Sequence, residues 1–203
     1  MSEGLTLAFD TSAAHCAAVL VSEKGVLAER LLPISRGRSE RLLPLLDAVL
    51  AEGGAGFGDV RRIGVGVGPG DFTGIRISVA AARGLSLSLG IPAHGVSTFD
   101  ALAVDRAEPF MVTVDARGGR VFVQLFDGPH APERLDATAF ERFLIAHAVA
   151  RVDRDDPSLP NLARGIARCA MTRAAAPGTR PTPFYLRGAG ATPAPDPAPV
   201  ILP

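Results

Sequence analysis

Short apolar runs alternate with polar or glycine-bearing breaks through the first half of the chain. Leu5 to Phe9 is one such run, closed by Asp10-Thr11-Ser12. Cys16 to Val21 is a second, and Gly25 after Lys24 turns the chain into a third, Val26 to Leu32. Runs of this length between turn residues predict strands, here two successive hairpins at the antiparallel edge of a mixed sheet. A polar stretch from Ser35 to Arg41 then leads into Leu42, Leu45, Leu46 and Val49, whose spacing is helical. The predicted helix runs from about Glu40 to Leu50 and ends at Gly53-Gly54. Pro44 is compatible with a start near Glu40, where its missing N–H is one that a helix leaves free. Leu43 and Leu50 make the apolar stripe wider than one core face needs, so part of it faces either a neighbouring helix or another chain.

The next strand, Ile63 to Val67, stops in Gly68-Pro69-Gly70 and passes into a helix from about Thr73 to Leu89. Glycines in alternation let the backbone approach another surface closely, and the free N–H groups of the helix face the loop. Two readings follow, a phosphate cradle or a tight strand-to-helix turn; a Walker A loop is excluded because no Gly-Lys-Ser/Thr is present. Asp10 likewise has two readings: it caps its own turn, or it points into a cleft toward a nucleotide phosphate or its Mg²⁺. The second helix carries Ile75, Ile77, Val79, Ala80, Ala81, Ala82 and Leu85, small enough to let another helix come close. Arg76 opposes the dipole in the first turn and needs a partner, either an acidic side chain, of which Asp71 is the nearest, or something bound. His94 to Val96 reads as a strand, and Ser97 as the cap of a helix from Thr98 to about Val104.

Near Glu108-Pro109 the pattern restarts. Phe110 to Val114 is a strand ending in Asp115-Ala116-Arg117-Gly118-Gly119, and Arg120 to Phe126 is its partner, an echo of the chain's start that points to an internal duplication. Thr138 to Val149 reads as a helix, Asp153-Arg154-Asp155-Asp156-Pro157 as a polar break, and Asn161 to Ala174 as the last helix. No strand is evident between Phe126 and that helix, so the second sheet is expected to be trimmed. Prolines recur from Ala175 on, and Thr192 to Pro203 reads as an extended tail.

Composition narrows the function classes. The 203 residues are 47% apolar with a mean hydropathy of +0.24, enough for a real core. Lys+Arg and Asp+Glu balance at 21 each, so no global field recruits nucleic acid or an anionic membrane, and any RNA role is indirect or rests on a local patch. Cys16 and Cys169 form no Cys-x-x-Cys pair, and His15, His94, His130 and His147 show no metal spacing. No apolar stretch is long enough to span a bilayer and the N-terminus lacks a signal-peptide pattern, so a soluble, cytoplasmic protein is expected.

Several strings stand in a fixed order: Leu7-Ala8-Phe9-Asp10-Thr11-Ser12, Arg38-Ser39-Glu40-Arg41-Leu42-Leu43-Pro44 and Gly68-Pro69-Gly70-Asp71-Phe72-Thr73-Gly74-Ile75-Arg76. Gly84-Leu85, Leu89-Gly90-Ile91-Pro92, Val96-Ser97-Thr98, Val114-Asp115-Ala116-Arg117 and Tyr185-Leu186-Arg187 follow. Together they closely resemble the TsaB (YeaZ) family of the bacterial threonylcarbamoyladenosine (t6A) tRNA-modification system. The Gly-Pro-Gly-x-Phe-Thr-Gly-x-Arg string is its most specific part. The resemblance implies an α/β, actin-like (ASKHA) fold of two related halves with mixed sheets, the second trimmed here. The halves are expected at residues 1–107 and 108–190, with a proline-rich tail at 191–203.

It further implies a non-catalytic scaffold that pairs with a TsaD-like catalytic paralogue, with a TsaE-like ATPase joining, with homodimers as an alternative pairing, and with tRNA contacted only indirectly. No cofactor or metal is expected on this chain, which lacks an evident phosphate-gripping lysine or paired metal-ligand histidines. The family motif places Asp10, Thr11, Ser12, Gly68, Gly70, Thr73, Gly74 and Arg76 at a possible nucleotide-facing loop. The pairing surface carries over to the first two helices, at Glu40, Arg41, Leu42, Leu45, Leu46, Val49, Ile77, Ala80, Ala81 and Leu85. On that reading Leu46→Glu or Ala81→Glu abolishes pairing without unfolding. Asp71 stands where the family commonly has serine, with Arg76 or Arg83 as its expected partner. The competing readings are an ASKHA-type ATPase or phosphotransferase using Asp10 and the glycine loop, and a peptidase, for which no Ser/His/Asp or zinc-ligand arrangement is present.

Overall fold

The computed structural model describes residues 4–155, 161–174 and 180–186. Arg187, Asp156, Pro157 and the expected tail at 191–203 lie outside the described residues. The first sheet is built from β1 (Leu5–Asp10), β2 (His15–Ser22), β3 (Gly25–Pro33), β4 (Val60–Gly66) and β5 (Ala93–Val96), in the order β3-β2-β1-β4-β5. The tight turns join β1, β2 and β3 as antiparallel neighbours. β4 and β5 run parallel to β1, because a helix carries the chain back each time: α1 (Arg38–Glu52) and then α2 (Phe72–Leu89). A turn of 3-10 helix (Phe57–Asp59) leads into β4, and α3 (Thr98–Ala103) follows β5, its cap Ser97 accepting from Asp100 N as expected.

Both faces of β1 are covered, which is why it reads as a continuous apolar run rather than an alternating one. Leu7 and Phe9 meet Leu42, Leu46, Val49, Ile75 and Val79 of α1 and α2 on one side. Ala8 joins Ala17, Val19 and Val96 against a helix from the far end of the chain on the other. That helix is α5 (Leu162–Thr172).

The second sheet contains β6 (Phe110–Asp115), β7 (Arg120–Phe126), β8 (Glu133–Asp136) and β9 (Ala150–Asp153), in the order β8-β7-β6-β9, with α4 (Ala137–Ala146) between β8 and β9. Its two antiparallel pairs and one parallel pair repeat β3-β2-β1-β4, so the echo in the sequence is a duplicated unit of three strands, a helix and a returning strand. The structure corrects one expectation here. β8 and β9 do lie between Phe126 and the last helix. They escape sequence reading because each has four residues, and of these only Val152 is buried. Among the described residues the second sheet is nevertheless one strand shorter than the first, and α5 packs on β1, β2, β4 and α3. Gly165 permits that approach: a Cβ there would overlap the Ala101 carbonyl oxygen.

Pro44 is a second correction. α1 begins at Arg38, so Pro44 lies inside the helix and not in its first turn. It is tolerated on the solvent face, where the ring meets no neighbouring element and water can serve the carbonyl it leaves unpaired. The wide leucine stripe also has its answer. Leu42, Leu45, Leu46, Val49 and Leu50 are all in this chain's own core, and Leu43 alone of the stripe is exposed, at 50%. Each fully buried leucine contributes about 1.5–3 kcal/mol.

Candidate functional site

The turn after β1 and the loop between β4 and α2 meet at the carboxyl ends of two parallel strands, the place where open α/β sheets form their crevices. The turn after β6 and the residues after β9 close the same crevice from the second sheet. The resulting cleft of about 410 Å³ is lined by Ser12, Asp71, Phe72, Asp115, Arg117 and Arg154 among others.

Asp10, at the end of β1, is completely buried. Its carboxylate accepts from Ser12 N (3.0 Å), from Ser12 Oγ (2.7 Å) and from His15 Nε2 (2.9 Å), and Arg154 NH2 lies 3.6 Å away. Burial pushes the Asp10 carboxyl up, but the His15 hydrogen bond and the Arg154 charge outweigh it and hold the group below the ordinary aspartate value. Thr11 turns toward the loop and donates to the Gly74 carbonyl (2.6 Å), while Asp71 N donates to the Ser12 carbonyl (2.7 Å).

The glycines are explained by this contact. A Cβ on Gly74 would overlap the Thr11 carbonyl, and one on Gly70 would overlap the Ser12 carbonyl and sit 2.9 Å from Arg154 NH1. Behind the loop, Gly68 takes a φ of +97°, and its carbonyl and that of Pro69 accept from Thr98 N (2.8 Å) and Thr98 Oγ1 (3.1 Å).

The structure thus brings Asp10, Thr11, Ser12, Gly68, Gly70 and Gly74 together, and Asp10 anchors its own turn through Ser12 while also meeting His15 and Arg154. Thr73, in the first turn of α2, is exposed. Arg76 corrects an expectation: it stacks 3.9 Å over the Phe72 ring and donates to Tyr185 Oη (3.1 Å), and it does not pair with Asp71. Arg83 donates to the Pro181 carbonyl (2.8 Å) instead. Asp71 caps α2 by accepting from Gly74 N (3.0 Å), and it pairs with Arg38 and with Arg117 (3.1 Å). The positive end of α2 therefore faces the chain's own carboxylate.

Arg38 and Arg154 escaped sequence reading. Arg38 is buried, pairs with Asp71, and donates to the carbonyls of Thr11 (3.3 Å) and Ala13. Arg154 sat unremarked in a run of aspartates, yet its side chain is only 5% exposed and donates to Ser12 O (3.3 Å) and Ser12 Oγ (3.0 Å). One basic residue among acids just past an apolar position was its only trace in the sequence.

Arg154→Met is expected to destabilise the protein by about 3 kcal/mol, because it leaves a completely buried carboxylate without its cation. Urea unfolding reads this directly. For pH, burial raises the Asp71 carboxyl while the Gly74 N–H and Arg38 lower it, with a net depression like that of Asp10. A depressed carboxylate stabilises the fold above its unfolded value of 3.8, and that contribution is lost as pH falls through the lower folded value. Stability contributed by this site is therefore expected to hold from neutral pH to about 4 and to fall below it. Asp71→Asn should flatten that acid limb, as followed by Tm against pH.

The structure also places the residues carried over as a pairing surface. Leu42, Leu45, Leu46 and Val49 point into the core, so they cannot meet a partner without unfolding. Glu40, Arg41 and Ala80 are exposed, and Ile77, Ala81 and Leu85 are half-buried against the core. Leu43, on α1, and Leu87, on α2 and 83% exposed, are surface apolar residues that were not carried over. Among the described residues, no three His, Cys, Asp or Glu side chains come together as a metal ligand set, and no helix is long and apolar enough to cross a membrane.

Comparison with known proteins adds the following. A family model described as TsaD, tRNA N6-adenosine threonylcarbamoyltransferase, matches residues 19–157. The tRNA threonylcarbamoyladenosine biosynthesis protein TsaB of Buchnera aphidicola subsp. Schizaphis graminum is 36% identical over 123 residues, covering 58% of this chain and 58% of that protein. TsaB of Escherichia coli (strain K12) is 34% identical over 122 residues, covering 57% of this chain and 52% of that protein. The chain spans about half the length of the curated relatives it matches. Among solved structures, YeaZ from Pseudomonas aeruginosa superposes with a TM-score of 0.65 at 26% identity, over 83% of this chain and 91% of that one. A second Pseudomonas aeruginosa protein, described as uncharacterized with similarity to peptidase YEAZ, reaches 0.72 at 25% identity, over 91% of this chain and 100% of that one.

Proposed function

Because the chain belongs to the family described as TsaD, tRNA N6-adenosine threonylcarbamoyltransferase, and its named bacterial relatives are TsaB proteins, we propose that it serves t6A formation in tRNA as a non-catalytic subunit. In this role it pairs with a TsaD-like catalytic paralogue and activates it in the cytoplasm. A TsaE-like ATPase joins the pair, and the chain pairs with itself when the paralogue is absent.

One observation carries the non-catalytic reading: the groups that would grip a nucleotide are already engaged within the chain. Asp10 is enclosed by Ser12, His15 and Arg154, and the Gly74 N–H in the first turn of α2 meets the Asp71 carboxylate. The Arg154 guanidinium stands against the glycine loop, where a phosphate would have to enter. Asp10 and the Gly74 N–H thus have partners within the chain, and no catalytic step is assigned to this loop pair. Arg154 and Arg117 tie the second unit to this loop pair through Ser12 and Asp71, and α1 and α2 pack together on one face of the first sheet. The partner-facing residues are then the exposed ones on that face: Glu40, Arg41 and Leu43 of α1, with Ala80 and Leu87 of α2. Balanced charge leaves tRNA binding to the partner.

The test is reconstitution. The chain is mixed with the TsaD of the same genome and measured by size-exclusion chromatography with light scattering, and t6A formation is assayed with and without it. A heterodimer that raises modification is the expected result. ATP hydrolysis by the isolated chain, lost in Asp10→Asn, with no complex formed, would move the assignment to an ATPase.

A further inference from the structure

Phe72, Arg76 and Ala80 follow one another along α2 at four-residue spacing, so they lie on one side of the helix, and Leu87 continues that side seven residues further on. All four are exposed, Phe72 at 52%. Residues 180–186 border this stripe on one side. The Pro181 carbonyl accepts from Arg83 Nε (2.8 Å), and Tyr185 reaches the start of the helix.

Three side chains form one assembly there. The Arg76 guanidinium lies 3.9 Å over the Phe72 ring, its Nε donates to Tyr185 Oη (3.1 Å), and the Phe72 and Tyr185 ring centres are 5.2 Å apart. Both rings remain open to solvent all the same, Tyr185 at 40%. Exposed aromatic rings grouped with an arginine are the composition of an interface centre, and Tyr and Arg are enriched among the residues that dominate binding energy. The stack and the Nε bond hold the guanidinium plane in place before any partner arrives, so less side-chain freedom is lost on binding.

The charge of this assembly is not matched within the chain. Among the described residues no carboxylate pairs with Arg76, and Asp71, the nearest acid in sequence, is engaged by Arg38 and Arg117. α2 itself contains Arg76 and Arg83 and no acidic residue. Water solvates Arg76 in the free chain. Once a partner covers it, the guanidinium needs an acceptor, because a charge taken out of water without one is costly. Nε is the nitrogen that Tyr185 takes, which leaves the two terminal nitrogens for a carboxylate, whose paired oxygens match that fork.

We propose that Phe72, Arg76 and Tyr185 anchor the pairing face and receive a carboxylate side chain of the TsaD-like partner on the Arg76 guanidinium. This rests on the pairing proposed above. It extends that face from Ala80 and Leu87 to the N-terminal end of α2, and it makes the C-terminal segment at 180–186 part of the interface.

The test is isothermal titration calorimetry of the chain against the TsaD of the same genome, with circular dichroism melts as the check on folding. Arg76→Gln, which loses the charge and keeps a hydrogen-bonding side chain, should raise Kd at least about 30-fold. Phe72→Ala should raise it at least about 10-fold, and Tyr185→Phe, which keeps the ring and removes only the hydroxyl, about 3–10-fold. Salt separates charge from packing: the Kd of the parent should rise more steeply with NaCl than that of Arg76→Gln. Equal salt slopes overturn the carboxylate assignment. A Kd within about threefold of the parent for both Arg76→Gln and Phe72→Ala overturns the anchor and leaves the pairing in place. Absence of any complex with the parent chain overturns the pairing and the anchor together. Variants that lose self-association but bind the partner unchanged would assign the cluster to a second copy of this chain, which also overturns the proposal.

Discussion

Gly74→Ala is expected to destabilise the protein by more than about 4 kcal/mol, the range reserved for substitutions with a specific structural cause. The added Cβ would overlap the backbone carbonyl of Thr11, which cannot swing aside as a side-chain tip would. Moving it breaks the turn that holds Asp10, since Thr11 Oγ1 bonds the Gly74 carbonyl and Ser12 N bonds the Asp10 carboxylate. Gly84→Ala, in the same helix, is the control: nothing lies within 4 Å of its Cβ position. Replacing an open mid-helix glycine by alanine should stabilise by about 0.5–1 kcal/mol. Urea denaturation of both variants separates the readings. Similar small effects for the two would mean that the loops do not pack as closely as described.

Leu46→Glu should unfold the chain, where the sequence alone led us to expect loss of pairing with the fold intact. Leu46 is fully buried among Leu7, Phe9 and Leu42. Removing its packing and burying a carboxylate without a partner together cost about 5 kcal/mol or more, comparable with the whole stability of a domain. Ala81→Glu is compromised in the same way, because Ala81 is half-buried against the core. Ala80→Glu and Leu87→Glu change exposed positions and should leave the circular dichroism melt within about 1 °C of the parent. These two variants therefore test the proposed pairing face: complex formation with the TsaD-like partner should be lost while the fold persists. Retention of the complex in both would remove α1 and α2 from the interface.

A related consequence concerns the C-terminal segment. Phe184 donates its N–H to the Val67 carbonyl (2.8 Å) and packs against the cores of both sheets, while Tyr185 stacks on Phe72 at 5.2 Å between ring centres. The strap covers the part of α2 that Arg76 and Arg83 occupy. The surface of α2 left free is accordingly the part carrying Ala80, Gly84 and Leu87.

Local patterning was sufficient for much of this molecule. The two opening hairpins, the leucine-spaced α1, the Gly-Pro-Gly entry into α2, the Ser97 cap and the repeated strand-Asp-turn unit all come from short-range rules of alternation, spacing and turn chemistry, and all are present. Membership of the t6A-associated family was legible too, because its motif strings are contiguous.

Other features depended on residues distant in sequence, where no local rule applies. β8 and β9 are too short and too exposed to carry a period, and only their neighbours β7 and β6 make them strands. The direction of the leucine stripe was set by α1 lying on the first sheet. The partner of Asp71 was set by Arg38, 33 positions away, and Arg117, 46 away, in preference to Arg76 in the next turn of α2. Asp10 could be read as a turn cap or as a ligand for phosphate until Arg154, 144 positions on by residue number, was found against it. Periodicity records which residues are buried in an element, but it carries no information on what buries them. That is decided when α5 crosses back to the first sheet and the two duplicated units close on each other.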